Sequence, residues 1–196
     1  NVDDIGCDFL SSTGRKYLRG PRGTGFLYVR SSSLNLVEPP FLDLHAATWT
    51  GMNEYKMHPD SRRFENWEGY VAGKIGLGAA VRYLLATGPD ATFDRIAKLG
   101  EHLRASLLEI SGITVHDLGK QKGGIVTWSH ESVDFKRFMV AFRNAKINVN
   151  IAYPEWARLD AEIRGLPMMI RSSVHYYNTR KEIARFCEVV SKTIDG

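Results

Sequence analysis

The sequence predicts an α/β fold, on two observations. Short apolar runs typical of strands, such as residues 125–128 and 168–174, alternate with longer segments whose apolar residues recur every three or four positions. With 43% hydrophobic and 24% charged residues among 196, the chain has the composition of a globular protein able to bury a sizeable core. We therefore expect strands and amphipathic helices arranged in one or two domains.

The first third of the chain has few regular elements in this interpretation. Residues 26–30 are apolar and predict a strand that ends at three serines. Residues 34–59 carry repeated proline and glycine interruptions and predict a long irregular connection. Apolar residues at helical spacing then predict a helix over residues 71–85, ended by Gly88 and Pro89.

From Gly88 onward, the pattern is typical of a compact α/β module. Asp90 is expected to cap a helix whose apolar face includes Phe93, Ile96, Leu103 and Leu107. Further strands are predicted at residues 113–118, 125–128, 147–151 and 168–174.

Two more helices complete the predicted module. Ser132 is expected to cap the first, which carries Phe135, Phe138 and Phe142 on one side. Thr179 and Glu182 have the spacing of a capping box and predict the start of the last helix.

One stretch is rich in groups that could bind an anion, residues 11–30, SSTGRKYLRGPRGTGFLYVR. Glycines allow close backbone approach, and the guanidinium groups of Arg15, Arg19 and Arg22 suit phosphate or carboxylate. Lys16 lies among them, and a neutral lysine amine can attack an aldehyde to form a Schiff base. An ordinary basic loop with a solvated lysine is the alternative. A Walker phosphate loop is excluded, because Tyr17 follows the lysine where that motif requires Ser or Thr.

The same stretch resembles a known family. The residues from Thr13 to Lys16, then Arg-Gly-Pro-Arg-Gly-Thr-Gly at 19–25 and the strand after them, resemble the pyridoxal-phosphate lysine segment of class V aminotransferases. That family includes cysteine desulfurases, selenocysteine lyases and isopenicillin-N-epimerase-like enzymes. Thr13 and Arg15 stand where its Ser-x-His-Lys motif has serine and histidine. The resemblance implies that Lys16 is catalytic and holds pyridoxal 5′-phosphate as an internal aldimine, with Thr13 and Arg15 near its phosphate.

A second stretch, residues 171–179, resembles the family's C-terminal Arg-x-Ser and Tyr-Asn-Thr segments. In the family this arginine holds the substrate α-carboxylate, which implies that Arg171 binds the substrate. A planar guanidinium suits that role, because it donates two parallel hydrogen bonds to one carboxylate. The alternative for Arg171 is a structural ion pair.

The resemblance also implies an architecture, the C-terminal part of a fold-type-I pyridoxal-phosphate transferase. Residues 1–66 would be the end of the large cofactor domain, and residues 67–196 a linking helix with the small C-terminal α/β domain. Upstream cofactor contacts of the family cannot be assigned in this chain, so we expect the chain alone to bind the cofactor poorly. The resemblance implies a homodimer in which Asn66 and Trp67 reach the neighbouring subunit; simple ion pairing on a helix surface is the alternative there.

The positions of the cysteines limit the reactions that we expect. Desulfurases of this family carry a catalytic cysteine shortly before the carboxylate arginine, whereas residues 151–169 contain none. Cys7 and Cys187 are expected to be buried thiols. The remaining reactions at the α-carbon of an amino acid are epimerisation, C–S lysis without a cysteine nucleophile, and transamination. The segments 158–160 and 164–167 resemble epimerase-like members.

Other functional classes receive less support. A net charge of +4 is dispersed along the chain, so we expect no nucleic acid partner. No apolar run has membrane-spanning length and no signal peptide pattern is present, so we expect a cytoplasmic protein acting on a small amino-acid substrate. His45 and His58 lack a second ligand at metal-site spacing, so no metal is expected. Two alternatives stay open, an inactive dimerisation and substrate-domain fragment and a basic phosphate-binding or nucleic-acid-binding module.

Overall fold

The chain folds into two compact units. The computed structural model describes all 196 residues, Asn1–Gly196, with unit 1 formed by Asn1–Ala86 and unit 2 by Thr87–Gly196. Unit 1 contains two separate antiparallel hairpins and a long helix, and unit 2 contains one four-stranded sheet with helices. The α/β fold class predicted from the sequence is therefore confirmed.

Unit 1 holds the predicted anion loop between two paired strands. In chain order its elements are α1 (Val2–Ile5), β1 (Phe9–Thr13), β2 (Gly25–Val29), β3 (Ala47–Gly51), β4 (Glu54–Met57) and α2 (Val71–Thr87). Strands β1 and β2 are antiparallel, with Thr13 opposite Gly25. The predicted strand at 26–30 is confirmed, one residue earlier than expected, and the loop that follows β1 connects the two strands.

The expectation of an irregular connection at residues 34–59 is wrong for residues 47–57. Strands β3 and β4 form a hairpin there, with Trp49 directly opposite Tyr55. Opposed side chains on two paired strands stabilise a hairpin, and this pairing outweighs the proline and glycine signals around it.

Helix α2 confirms the helix predicted over residues 71–85. Its glycines let it approach the loop between β1 and β2 closely. A Cβ atom added at Gly76 would lie 2.6 Å from Pro21 Cγ, and one at Gly73 would lie 2.8 Å from Thr24 Cγ2. The glycines that weaken this helix as an isolated element therefore serve its packing.

Unit 2 is built around a sheet with strand order β5-β6-β8-β7, in which every neighbouring pair is antiparallel. In chain order the elements are α3 (Pro89–Leu108), β5 (Ile113–Val115), β6 (Ile125–His130), α4 (Phe135–Asn144), β7 (Asn150–Ala152), α5 (Arg158–Arg164), β8 (Met169–Ser173) and α6 (Arg180–Asp195). One face of the sheet packs against α3, α4 and α6 through the core residues Leu99, Leu103, Leu107, Val126, Trp128, Phe138, Phe142, Ile170, Val174, Ile183, Phe186 and Val190. The opposite face carries the alternate residues of each strand.

Two of the three helix starts predicted in unit 2 differ from the structure. Helix α3 is preceded by Gly88 rather than capped by Asp90, because Pro89 fits the first helical position. Asp134, not Ser132, caps α4, since its carboxylate accepts a hydrogen bond from the Lys136 N–H at 2.9 Å. The capping box of Thr179 and Glu182 at the start of α6 is confirmed.

Two strands are shorter than the sequence predicts, and Phe93 is not a core residue. Strand β5 stops at Val115, because the Asp117 side chain accepts the hydrogen bond of the Thr127 N–H at 2.8 Å. Strand β7 begins only at Asn150. Phe93 is 66% exposed, although other residues of the predicted α3 face, including Leu103 and Leu107, are buried.

Candidate active site

Lys16 lies in a closed loop between β1 and β2. The Gly14 N–H donates to Thr24 O at 2.8 Å and the Gly20 N–H donates to Gly14 O at 2.8 Å. The Arg19 N–H donates to Lys16 O at 2.9 Å. The backbone on both sides of Lys16 is therefore fixed, while the Lys16 side chain is exposed and open to a ligand.

Glycine is required at the base of this loop. A Cβ atom at Gly14 would lie 2.6 Å from both Leu77 Cδ1 and Thr24 Oγ1, and one at Gly20 would lie 2.9 Å from Gly14 O. Larger residues would push α2 and the loop apart. The sequence pattern of glycines around Lys16 thus has a packing reason as well as the conformational one expected.

The side chains predicted to bind a phosphate stand at the same place. Thr13, at the end of β1, and Arg15 are exposed beside Lys16. The Thr13 hydroxyl makes a hydrogen bond of 3.4 Å to Thr24 O, at the long end of the range, and the Thr24 hydroxyl is already committed to Pro21 O at 2.6 Å. Of the two threonines, Thr13 is the better placed to bind an added oxygen.

Asn66 and Trp67 lie elsewhere in unit 1 and are exposed. The Trp67 N–H donates to Asp43 Oδ2 at 2.6 Å. This hydrogen bond and one from the His45 N–H lower the pKa of Asp43 below its usual value. The segment is thus tied to the chain by its backbone, and the Trp67 ring, 67% exposed, meets the His45 ring edge to face at a centroid distance of 6.1 Å. The cross-subunit role of both residues stays a prediction.

Arg171 is in unit 2, in the middle of β8. It pairs with Thr127 on β6 and with Asn150 on β7. Because directly opposed residues share a face, these three side chains form a row on the face of the sheet opposite the helices. The Arg171 Nε atom is buried and has no hydrogen-bond partner. A buried donor without a partner costs free energy, which favours a ligand or water at this position.

Thr127, beside Arg171, is held by a buried charge network. Its hydroxyl donates to Asp117 Oδ1 at 2.7 Å, and Arg104 Nε donates to Asp117 Oδ2 at 2.7 Å. The Arg104 and Asp117 side chains are only 5% and 10% exposed. The Asp117 carboxylate is therefore paired with the Arg104 guanidinium.

His116 continues the same row next to Thr127. Its N–H donates to Thr127 O at 2.9 Å, and its Nε2 atom lies 2.8 Å from Ser129 Oγ. Burial, and secondarily the Arg164 guanidinium, lower the pKa of His116 below 6.5. Arg164 on α5 also donates to His116 O at 2.6 Å. His116 is thus a neutral, half-buried side chain at neutral pH.

Comparison with known proteins identifies the family. The model of the family described as aminotransferase class-V matches residues 1–186. The chain belongs to the class-V aminotransferase family. A probable cysteine desulfurase of Xylella fastidiosa (strain Temecula1) is 31% identical to this class-V chain over 203 residues, covering 98% of this chain and 46% of the relative. A cysteine desulfurase of Dickeya dadantii is 31% identical over 192 residues, covering 94% of this chain and 44% of the relative.

Solved structures agree on the fold of this class-V protein. The apo structure of a cysteine desulfurase from Thermococcus onnurineus NA1 matches with a TM-score of 0.90 at 25% identity, covering 100% of this chain and 49% of that one. The cystine C-S lyase C-DES, in complex with cysteine persulfide, matches with a TM-score of 0.80 at 19% identity. The match covers 97% of this chain and 48% of that one. The chain spans about half the length of the relatives it matches. It is therefore a portion of a fold-type-I enzyme, as the sequence predicted.

The residues present suit the cofactor that this class-V family implies. Lys16 offers an exposed amine for an aldehyde, and Thr13 and Arg15 offer a hydroxyl and a guanidinium for a phosphate. The glycines at the base of the loop leave no side chain in the way. Arg171, in the other unit, offers the unpartnered buried Nε described above for a carboxylate.

Sequence reasoning missed the residues that support these groups. The Arg104–Asp117 pair and the Thr127 contact depend on cross-strand register, which local sequence patterns do not reveal. The left-handed backbone of Arg19 was also missed, although the glycine directly after it marks a turn.

No helix is both long enough and apolar enough to cross a membrane.

Proposed function

We propose that this chain is the lysine- and arginine-bearing half of a pyridoxal-phosphate enzyme that cleaves a C–S bond of a sulfur-containing amino acid without a cysteine nucleophile. The observation that carries this proposal is the loop that fixes the backbone around Lys16 and leaves its side chain exposed. Membership of the class-V family and the desulfurase and C-S lyase names of its relatives support it. In this proposal residues 1–66 complete the cofactor domain and residues 67–196 form the linking helix and small domain.

Each residue has a stated role. Lys16 binds the cofactor covalently, and Thr13 and Arg15 bind its phosphate through hydrogen bonds. Arg171 binds the substrate α-carboxylate through its guanidinium, which fixes the α-carbon in one orientation. When bound, pyridoxal phosphate supplies an electron sink that makes the α-proton acidic. The Lys16 amine, once the substrate amine has taken its place on the cofactor, would accept that proton, and the sulfur would leave from the neighbouring carbon with the bonding electrons.

The cysteines of the chain support a route without a protein persulfide. A thiol attacks as its thiolate, and burial, helped by Glu109, raises the pKa of Cys187 to about 11. At neutral pH this thiol is almost entirely protonated. Cys7 precedes the lysine loop, and residues 151–169, where the family's desulfurases carry their cysteine, contain none.

Two further features belong to this proposal. The whole protein acts as a homodimer, to which Asn66 and Trp67 contribute at the neighbouring subunit. It works in the cytoplasm on a small amino-acid substrate. A sedimentation measurement of the whole protein, compared with a Trp67→Ala variant, tests the dimer; a monomeric wild type would contradict it.

The first experiment adds pyridoxal phosphate to the whole protein and records the visible spectrum before and after borohydride. We expect a lysine adduct that peptide mapping places at Lys16, and its loss in Lys16→Ala. An adduct at another lysine, or none, would remove this proposal. The same measurement on the 196-residue chain alone tests the alternative of an inactive fragment, which predicts a folded chain without an adduct.

The second experiment identifies the reaction from its products. Incubation with cysteine and with cystine is expected to release sulfide or persulfide sulfur together with a keto acid, and a Cys187→Ser variant is expected to retain this activity. Release of a D-amino acid would instead support epimerisation, which the segments at 158–160 and 164–167 favour, and consumption of a keto acid would support transamination. Loss of all activity in Cys187→Ser would contradict a route without a cysteine nucleophile.

A further inference from the structure

Arg19 has an unusual backbone conformation at the end of the lysine turn. Its φ of 57° lies in the left-handed region, and only Lys146 among the other non-glycine residues shares that region. This conformation is unfavourable for a residue with a side chain. The hydrogen bond from the Gly20 N–H to Gly14 O depends on it, because the backbone angles of Arg19 set the direction of the Gly20 N–H. A second interaction must offset the cost.

The Arg19 side chain contacts an aromatic ring on α2. Its guanidinium carbon lies 5.3 Å from the centroid of the Tyr83 ring, within the range of a cation–π interaction. Tyr83 lies on α2, which packs against the loop through Leu77, whose Cδ1 would be 2.6 Å from a Cβ at Gly14 and 3.1 Å from one at Gly20. The ring is therefore carried by a helix that is already fixed to the base of the lysine loop.

Lys16 depends on this turn for its direction. The two hydrogen bonds at Arg19 and Gly20 close the loop on the carboxyl side of Lys16, and the exposed Lys16 side chain extends from that loop. If Arg19 left the left-handed region, the bond from the Gly20 N–H to Gly14 O would be strained, and the loop would no longer hold the lysine in one direction. The cation–π contact thus stabilises the conformation in which the amine is presented.

We propose that Arg19 and Tyr83 are positioning residues for Lys16: the Arg19 guanidinium, stacked on the Tyr83 ring, holds the loop of residues 14–20 closed and fixes the direction of the lysine amine. The chemical importance of that direction rests on the proposed function. The closure of the loop does not, and it can be measured without cofactor.

The test compares Tyr83→Leu with Tyr83→Phe in the whole protein. Phenylalanine keeps the ring that attracts the cation, whereas leucine removes it. We expect the Gly20 amide to exchange with solvent about threefold to tenfold faster in Tyr83→Leu and near the wild-type rate in Tyr83→Phe. Equal exchange in the leucine variant and the wild type would overturn the closure.

A second pair of variants tests whether Tyr83 affects Gly20 exchange through Arg19. Glycine adopts the left-handed conformation without penalty, so Arg19→Gly removes the need for the contact. In that background Tyr83→Leu is expected to have no further effect on Gly20 exchange, a clear departure from additivity. Full additivity of the two substitutions would show that Tyr83 does not act through Arg19, and would overturn the proposal.

The positioning of Lys16 has its own measurement. The rate at which acetic anhydride modifies Lys16, followed by peptide mapping against the exposed Lys181, is expected to change in Tyr83→Leu and to recover in Tyr83→Phe. With cofactor, the pH midpoint of the visible absorbance at Lys16 is expected to shift in the same variant. If Gly20 exchanged faster but the acetylation rate and the pH midpoint at Lys16 did not change, the contact would only stabilise the loop. That result would overturn the positioning role. If the wild type forms no adduct, the proposed function fails, while exchange and acetylation still decide this inference.

Discussion

At the scale of single residues, Arg171 is distinguished by what surrounds it. Its side chain lies in a polar row across the sheet, and its Nε is buried without a partner. The Asp117 carboxylate, which accepts the hydrogen bond of the Thr127 hydroxyl in that row, is bound to Arg104. The binding of a substrate carboxylate by Arg171 stays a prediction.

Replacing Arg171 with lysine should weaken substrate binding. Lysine keeps the charge but cannot donate two parallel hydrogen bonds to one carboxylate, so we expect KM to rise about tenfold to a hundredfold. Steady-state kinetics of the whole enzyme measure this, with Arg137→Lys on the exposed side of α4 as the control. An unchanged KM in Arg171→Lys would assign Arg171 a structural role.

His116 gives a prediction for pH. Its pKa in the folded chain lies below the ordinary value of 6.5 because burial, and then Arg164, disfavour the charged ring. The unfolded chain therefore binds more protons in that range, and the free energy of unfolding falls as pH is lowered through 6.5 towards the folded pKa. Urea unfolding between neutral and mildly acidic pH should show this slope, and His116→Gln should reduce it. An identical slope in the variant would contradict the shift.

At the scale of elements, α2 and the lysine loop form one packed assembly. The contact depends on glycines that carry no side chain toward the loop, at Gly73 and Gly76. Glycine in a helix normally costs stability relative to alanine, so these positions reveal where packing outweighs helix propensity. The loop and the helix should therefore loosen together.

Two alanine substitutions on α2 should have opposite effects. Gly76→Ala places a Cβ 2.6 Å from Pro21 Cγ, so we expect a loss of about 1–3 kcal/mol of stability. At Gly78 the nearest atom to a new Cβ is the flexible Arg82 Nη1 at 3.5 Å, so Gly78→Ala should stabilise by about 0.5–1 kcal/mol. Chemical denaturation of both variants measures the difference. The packing argument would fail if Gly76→Ala were as stable as Gly78→Ala.

The elements also show how far the sequence can be interpreted. The capping box of Thr179 and Glu182 was predicted correctly, because it depends on residues three apart. The helix caps predicted at Asp90 and Ser132 are wrong. Several residues near the start of a helix can act as its N-cap, and the tertiary structure selects one of them. The β3–β4 hairpin was missed, because its support is a pairing across strands.

The candidate site divides in the same way. Lys16 and Arg171 are predicted from local motifs; the structure leaves the Lys16 side chain exposed and buries the Arg171 Nε without a partner, and the roles of both stay predictions. Their supports, Arg104 with Asp117 and Arg19 with Tyr83, join residues distant in sequence or depend on one backbone angle. Local patterns contain no information about either.

At the scale of the whole molecule, the two units differ in how they bury apolar surface. Few apolar residues of unit 1 are buried, among them Val29, Leu34, Ala46 and Ala47. Unit 2 has a continuous core that joins its sheet to three helices. Since apolar burial is the main source of stability, unit 2 has the means to fold independently.

Residues 87–196, expressed alone, should therefore form a stable domain. We expect a cooperative urea transition by far-ultraviolet circular dichroism, as small domains usually show. Residues 1–86 alone should give a broad transition, because so little of their apolar surface is buried. A cooperative transition in residues 1–86 with none in residues 87–196 would reverse this assignment.

The core of unit 2 also contains a natural optical reporter. Trp128 is fully buried, with its indole N–H bonded to Ser172 Oγ at 3.0 Å, whereas Trp49, Trp67 and Trp156 are each at least 65% exposed. The three exposed rings already emit from water, so their emission wavelength changes little when the chain unfolds. A red shift of the intrinsic fluorescence therefore signals the loss of packing around one indole. Unfolding of unit 2, which contains Arg171, can thus be followed in the unmodified chain, without any attached dye.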